Sequence, residues 1–233
     1  MREGSCETDP VTDLHDPDVA AVSGDDDNDV IVLPWWQNPV NLIVLFVGML
    51  LLATGGGFVI GERHATPDPN AVDVGFLQDM RTHHEQAVEM SLTFISKTGT
   101  DQTIGLIARE IAFGQAVESG KMIQLLREYG EPEAADVEKD AMSWMNAPVP
   151  ADRMPGLASA ADLDRLTHAA GTAADALYLE LMITHHQGGI HMAEYAQTHA
   201  ATSEVIKLAV SMVSGEQEEI VEMQRIMATL PVS

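Results

Sequence analysis

Two histidine pairs are the residues of this sequence best suited to chemistry. The motif Met-x-x-His-His occurs twice, 102 residues apart, and another methionine follows each copy: Met80, His83, His84 and Met90 in the first, Met182, His185, His186 and Met192 in the second. Imidazole nitrogen binds copper, zinc and iron, whereas thioether sulfur is a soft ligand that favours Cu(I). Because residues three or four apart lie on one face of a helix, one turn can present sulfur and nitrogen to the same ion. The motif therefore indicates metal binding, with copper as the candidate ion.

A carboxylate joins this set from the helix predicted after each motif. The apolar stripe of that helix includes Gln115 and Glu118 in the first half, and Glu216 and Glu219 at an offset of 101 in the second. A glutamate within an apolar stripe would face a large desolvation cost unless it is paired, hydrogen-bonded or bound to a cation. We therefore include Glu118 and Glu219 among the candidate metal ligands, together with the four histidines and four methionines.

A structural interpretation of the same residues needs no metal. Periodicity turns His83 and His185 inward, where they could donate hydrogen bonds to Glu118 and Glu219 in a buried polar layer that fixes the register of the helices. The joint recurrence of Met, His-His, Met and an inward Glu favours metal binding over this alternative. Di-iron carboxylate bundles use Glu-x-x-His, and no histidine here has an acidic residue three positions before it, so ferroxidase chemistry is disfavoured.

The elements that must position these residues are helices. From 71 to 230, apolar residues recur every three or four positions, which predicts long helices at 71–97, 101–129, 171–200 and 203–229 and a shorter one at 160–170. Asp101 and Ser203 are predicted N-caps, and Gly130 is a predicted C-cap. The matching offsets of 102 and 101 indicate an internal duplication of a helix pair. Because one pair cannot bury its apolar stripe alone, we predict an all-α, antiparallel four-helix bundle over 71–230.

Residues 38–61 predict a single transmembrane helix that anchors the chain in a lipid bilayer. The sequence has no charged residue from 30 to 61, and about 20 apolar residues suffice to span a membrane. Trp35 and Trp36 stand where an interfacial aromatic belt would lie. A cleaved signal peptide is the alternative. Signal peptides begin with a short basic region, which this sequence lacks, so an uncleaved anchor is favoured.

The segments on either side of this helix carry no apolar periodicity. Residues 1–37 contain ten acidic residues and one basic residue, which predicts a disordered acidic tail. Residues 62–70 include Pro67 and Pro69 and predict a short stiff linker between the anchor and the bundle.

Composition and the absence of known motifs exclude several function classes. The sequence has 36 acidic and 12 basic residues and a net charge of −24. Nucleic-acid binding is not expected, because the counterion release that drives it requires a positive surface. The sequence contains no phosphate-binding loop, nucleophile elbow, dinucleotide fingerprint or His-Glu-x-x-His, so no enzyme activity is predicted.

Two segments resemble the domain of unknown function 305 family, whose pattern is Met-x-x-His-His-x-x-Ala-x-x-Met in each half with Met-Pro-Gly-Met between them. They are FLQDMRTHHEQAVEM and RMPGLASAADLDRLTHAAGTAADALYLELMITHHQGGIHMAEYA, and the resemblance covers about residues 71–230. It implies a ferritin-like bundle on the outer side of the cytoplasmic membrane, with the N-terminus inside. It also implies copper binding or copper tolerance, suggested for some members, and no established enzyme activity. Leu157 replaces the linker methionine and so removes one soft ligand, and Gly189 stands where alanine is usual.

Two functional hypotheses follow. The first is a single-pass protein of the cytoplasmic membrane whose outer domain binds or handles copper through histidine, methionine and glutamate. The second is a non-catalytic structural or accessory subunit of a larger membrane protein complex, in which the polar core has no ligand.

Overall fold

The computed structural model describes residues 34–65, 67–136 and 138–231, and within these ranges the chain is all-helical. Six α-helices follow one another: Pro39–Ala65 (α1), Ala71–Ile95 (α2), Gln102–Tyr129 (α3), Ala160–His168 (α4), Gly171–His199 (α5) and Ser203–Met227 (α6). Two single turns of 3-10 helix, Ser143–Met145 and Ala151–Arg153, lie between α3 and α4. Most of the predicted acidic tail, residues 1–33, lies outside the described residues.

Helix α1 is the apolar helix predicted from the sequence. Its segment Pro39–Val59 spans 21 residues with a mean hydropathy of 2.4, and no other helix in the described ranges is long and apolar enough to cross a membrane. The helix continues to Ala65, four residues into the predicted linker.

The remaining long helices form a bundle from two similar helix pairs. Short connections make α2 antiparallel to α3 and α5 antiparallel to α6, while α2 and α5 pack against each other. Asp73, near the start of α2, accepts hydrogen bonds from the backbone N–H groups of Ala201 and Thr202, just beyond the end of α5. Asp175, near the start of α5, accepts one from Asp101, beyond the end of α2. These contacts show that α2 and α5 run antiparallel. The resemblance of the bundle to ferritin stays a prediction.

The ends of the bundle helices lie within two residues of the predicted ends, and most follow local capping chemistry. Asp101 caps α3 as predicted, with its side chain accepting from two backbone N–H groups, and Gly130 ends that helix at a left-handed φ of 73°. The predicted N-cap Ser203 is wrong, because Thr202 caps α6 by accepting from Val205 N–H. The Thr202 hydroxyl also donates to Asp73, which fixes the residue in the capping position.

Two apolar clusters fill the bundle, one on each side of the histidine positions. One cluster contains Met80 from α2 and Met192 from α5, and the other contains Met90 and Met182 from the same two helices. Because α2 and α5 are antiparallel, residues before the histidines in one helix lie beside residues after the histidines in the other. The four histidines therefore occupy a polar layer between two methionine-rich clusters.

The connection between α3 and α4 rests directly on α5 near this layer. A Cβ atom at Gly188 would lie 2.0 Å from the Pro155 carbonyl oxygen, so only glycine permits the approach. Gln86 of α2 holds the same connection through hydrogen bonds of 2.7 and 3.0 Å to the Ala158 backbone. These contacts bring the Pro155 carbonyl into the histidine layer.

Candidate metal centre

All four motif histidines are fully buried, His83 and His84 on α2 and His185 and His186 on α5. Helical periodicity predicted that His83 and His185 face inward, and the structure confirms this. Their rings meet across the α2–α5 contact, with centroids 3.8 Å apart and planes inclined by 34°. The second histidine of each pair lies about 100° further around its helix, so it turns towards the neighbouring helix of its own half.

The inner two histidines donate hydrogen bonds to backbone carbonyl groups. His83 Nε2 lies 3.0 Å from the Pro155 oxygen, and His185 Nε2 lies 3.0 Å from the His83 oxygen. A carbonyl oxygen can only accept, so each Nε2 carries the proton and each Nδ1 of the neutral ring keeps its lone pair. The Pro155 carbonyl was not predicted, because its position depends on the path of a loop.

The outer two histidines contact the predicted glutamates. His84 Nε2 lies 3.0 Å from a carboxylate oxygen of Glu118, and His186 Nε2 lies 2.6 Å from one of Glu219. The structural alternative paired these glutamates with His83 and His185, and that pairing is wrong because the inner rings face each other instead. The side chains of Glu118 and Glu219 are 21% and 37% exposed, so both carboxylates lie at the margin of the bundle.

The second ring nitrogen of every motif histidine lacks a hydrogen-bond partner. Nδ1 is buried and unpartnered in all four residues, His83, His84, His185 and His186. Leaving a buried polar atom without a partner costs about 1–3 kcal/mol. Four such atoms in one layer are unusual in a folded protein. Each of them is a potential donor of a nitrogen lone pair to a metal ion.

Burial keeps the imidazoles in the form that binds metal. Loss of solvent lowers the pKa of His83 to about 3, with a further contribution from nearby His84. Burial and the neighbouring His83 hold the pKa of His185 well below its ordinary value. Burial also lowers the pKa of His84, although its hydrogen bond to Glu118 opposes the effect. Metal binding requires deprotonated ligands, so these three rings are ready to coordinate at neutral pH.

A buried glutamate and a buried glutamine lie near the same layer. Glu216 of α6 and Gln115 of α3 are each 3% exposed, and Gln115 Nε2 donates to Glu216 Oε1 at 3.4 Å. Burial raises the pKa of Glu216 to about 7. Both residues belonged to the predicted apolar stripes but not to the predicted ligand set. Their side chains are more buried than those of Glu118 and Glu219. The sequence feature that could have predicted this burial is Gly189, the glycine that lies opposite Glu216.

The four predicted methionine ligands are all buried beside the histidine layer. Met80, Met90, Met182 and Met192 each have no exposed surface. Met80 and Met192 share their apolar cluster with Met122 and Met212, and Met90 and Met182 share theirs with Met223. Thioether groups therefore line both sides of the layer that contains the unpartnered nitrogens.

A family model for the domain of unknown function DUF305 matches residues 73–227. The chain belongs to the DUF305 family. The match covers the helical bundle except the first two residues of α2, and it leaves α1 outside. The family resemblance of the two Met-x-x-His-His segments is thereby confirmed. Among curated proteins, no relative matches the chain.

Solved structures support the same assignment. A DUF305 protein from Streptomyces coelicolor is 35% identical, with a TM-score of 0.62 over 67% of this chain and 92% of that chain. A DUF305 fragment from Deinococcus radiodurans is 27% identical, with a TM-score of 0.60 over 70% of this chain and all of that one. CopM in its Cu(II)-bound form is 23% identical, with a TM-score of 0.50 over 67% and 95%. At that identity CopM shows a shared fold alone.

The donor atoms of this DUF305 domain fit a soft or borderline metal ion. Within the described residues, no three His, Cys, Asp or Glu side chains already surround one point. A site that combines two imidazoles with thioether sulfur does not require such a trio. Unpartnered Nδ1 atoms and buried thioether groups are both found in this part of the bundle. This donor set suits copper better than calcium or magnesium, which prefer oxygen ligands.

Proposed function

We propose that this protein is a membrane-anchored metal-binding protein whose helical bundle binds copper. The observation that carries the proposal is the layer of four buried imidazoles, each with an unpartnered Nδ1 atom. The ligands are drawn from two groups of candidates, the histidines His83, His84, His185 and His186 and the methionines Met80, Met90, Met182 and Met192. Imidazole and thioether together favour copper, and the thioether groups favour Cu(I) in particular.

Glu118 and Glu219 have a second role in this proposal. Each accepts a hydrogen bond from the Nε2 atom of a motif histidine, which leaves Nδ1 of that ring directed away from the carboxylate. Carboxylates in this position hold a ligand ring in orientation and raise its basicity. Direct coordination by Glu118 or Glu219, as predicted from the sequence, would require the carboxylate to leave its histidine. We therefore assign both residues to ring orientation first.

We further propose that α1 is an uncleaved single-pass anchor in the cytoplasmic membrane. Its length and apolar composition support this assignment. In the proposed topology the acidic tail lies inside and the metal-binding domain lies on the outer face of the membrane. The protein would then meet copper in the cell envelope, where it would sequester the ion or pass it on.

The alternative, an accessory subunit of a membrane protein complex, is favoured by a different observation. Several apolar side chains of α3 are exposed, and Phe113 is the most exposed of them at 74%. Leu106 is one of the others, 57% exposed and seven residues earlier on the same face. A partner protein could cover this face. Such a subunit would be purified with its partners and without stoichiometric metal.

Elemental analysis of the full-length protein, purified from its own membranes, tests the proposal. We expect stoichiometric copper, and we expect it to fall below a tenth of that level when His84 and His186 are both replaced by Gln. The Gln side chain keeps an N–H donor near the position of Nε2, so the contact with the glutamate is retained while the Nδ1 ligand is lost. His168→Gln, at an exposed position of α4, is the control and should bind copper normally. Metal-free wild-type protein, or a double variant with full copper content, would refute the proposal.

A further inference from the structure

Glu216 is the one acidic side chain in the described core that is left with an unpartnered oxygen. Its Oε2 atom is buried and has no hydrogen-bond partner, and Oε1 has only the long contact to Gln115. Three other buried acids, Asp73, Asp79 and Asp175, all accept hydrogen bonds from backbone N–H groups. No Lys or Arg forms an ion pair with Glu216 among the described side chains. A buried carboxylate in this state requires a cation or a proton.

The carboxylate of Glu216 lies against the turn of α5 that carries the second histidine pair. A Cβ atom at Gly189 would lie 2.6 Å from Oε2 and 2.9 Å from Oε1. Gly189 is four residues after His185 and three after His186, so it shares their side of the helix. The glycine thus leaves the space that the carboxylate occupies beside this turn.

The first half of the molecule lacks both parts of this arrangement. At the equivalent positions it has Ala87 in place of Gly189, at an offset of 102, and Gln115 in place of Glu216, at an offset of 101. The carboxylate and the opening therefore occur together, and only on the side of His185 and His186.

We infer that Glu216 is an oxygen ligand for the metal ion and makes the site able to hold Cu(II) as well as Cu(I). This inference rests on the proposed function. Carboxylate oxygen is a hard donor that favours Cu(II), whereas thioether sulfur favours Cu(I). Neutral imidazoles and thioethers supply no negative charge, so a doubly charged ion in this layer gains most from the buried carboxylate. Binding of Cu(I) depends on Glu216 much less.

Competition titrations of the full-length protein in detergent test this assignment. Each titration uses a chelator specific for Cu(I) or for Cu(II) and compares wild type with Glu216→Gln, which conserves the shape of the side chain. We expect the affinity for Cu(II) to fall at least tenfold and that for Cu(I) to change less than threefold. Glu222→Gln, an exposed position on α6, controls for the loss of one negative charge and should change neither affinity.

Two further measurements separate ligation from a structural role. The electron paramagnetic resonance spectrum of bound Cu(II) should change in Glu216→Gln, because an oxygen ligand is replaced. Gly189→Ala retains Glu216 but occupies the space beside its carboxylate, so it should also weaken Cu(II) binding. A thermal melt of each metal-free variant checks that the bundle remains folded.

The outcomes distinguish this inference from the proposed function. Equal losses of Cu(I) and Cu(II) affinity in Glu216→Gln, an unchanged Cu(II) spectrum, or no change in either affinity would overturn the inference. If the inference about Glu216 fails but the His84 and His186 double variant loses copper binding, the proposed function stands on its own. Wild-type protein that binds neither ion would overturn both.

Discussion

Replacing Glu216 by Gln should stabilise the metal-free protein, and the gain should depend on pH. Burial raises the pKa of this carboxyl to about 7, against an ordinary value of 4.5. The folded state therefore binds a proton more tightly than the unfolded state between these two values. The contribution of the group to stability is fully present below pH 4.5 and is lost as the pH rises through 7. Gln cannot ionise, so the variant does not suffer this loss.

The size of the effect follows from the same two pKa values. One pKa unit corresponds to about 1.4 kcal/mol, so the charged carboxylate costs about 3 kcal/mol of unfolding free energy at pH 8. At pH 5 most of the group is still protonated in the folded state, and the cost is about a quarter as large. For a domain of this size, 1 kcal/mol shifts the Tm by about 2–4 °C. We therefore expect the variant to melt about 6–12 °C above wild type at pH 8 and about 2 °C above it at pH 5.

Thermal melts followed by circular dichroism measure this difference in full-length protein from which metal has been removed with a chelator. Every other titratable group is present in both proteins, so the gap between variant and wild type reports the loss of the Glu216 carboxyl and of its interactions. Glu222→Gln removes an exposed carboxylate that pairs with Arg225, so it should give no gain that grows with pH. The same gap at pH 5 and pH 8, or a Glu216 variant that is less stable at pH 8, would refute the argument from burial.

Three further predictions concern the core, the membrane and the loop contact. Changing the four candidate methionines to Leu conserves volume and costs less than about 1.5 kcal/mol per site, so the bundle should remain folded by thermal melt. Cu(I) affinity should fall more than Cu(II) affinity, and unchanged Cu(I) affinity would show that Met80, Met90, Met182 and Met192 are core residues without a role in binding. The full-length protein should stay in the membrane fraction after alkaline washing, whereas a mature N-terminus near Gly55 would indicate a cleaved signal peptide. Gly188→Ala should lower the free energy of unfolding, measured by urea denaturation, by about 3 kcal/mol or more, because the new Cβ meets the Pro155 carbonyl. The control Gly114→Ala faces open space on α3 and should leave the free energy of unfolding unchanged or raise it by up to about 1 kcal/mol. Equal effects of the two substitutions would contradict the contact.

The sequence predicted the helices and the inward direction of His83 and His185 because both depend on periodicity within one helix. The caps at Asp101 and Gly130 were also predictable, since they depend on residues next to the helix end. The sequence did not identify Thr202 as the N-cap of α6, because the preference for Thr202 over Ser203 depends on a contact with Asp73, which lies 129 residues away.

The contacts within the site depended on information that one helix does not carry. The rotation of α2 relative to α3 decides which histidine contacts Glu118. The sequence does not fix this rotation, because an apolar stripe several residues wide allows more than one pairing. Glu216 was placed in its stripe, yet its burial depends on Gly189 of a different helix. The Pro155 carbonyl reaches His83 through a loop with no periodicity.

The reciprocal capping contacts have a consequence for how the two halves depend on each other. Asp73 of the first half completes the start of α6, and Asp175 of the second half completes the start of α3. Neither half is therefore a finished unit, whereas two identical copies of one half could complete each other across a two-fold axis. Joining the halves in one chain removes the requirement that both sides of that axis be the same. Residues on one side, such as Gly189 and Glu216, are then free to differ from their counterparts, so a single molecule can surround its two histidine pairs with different side chains.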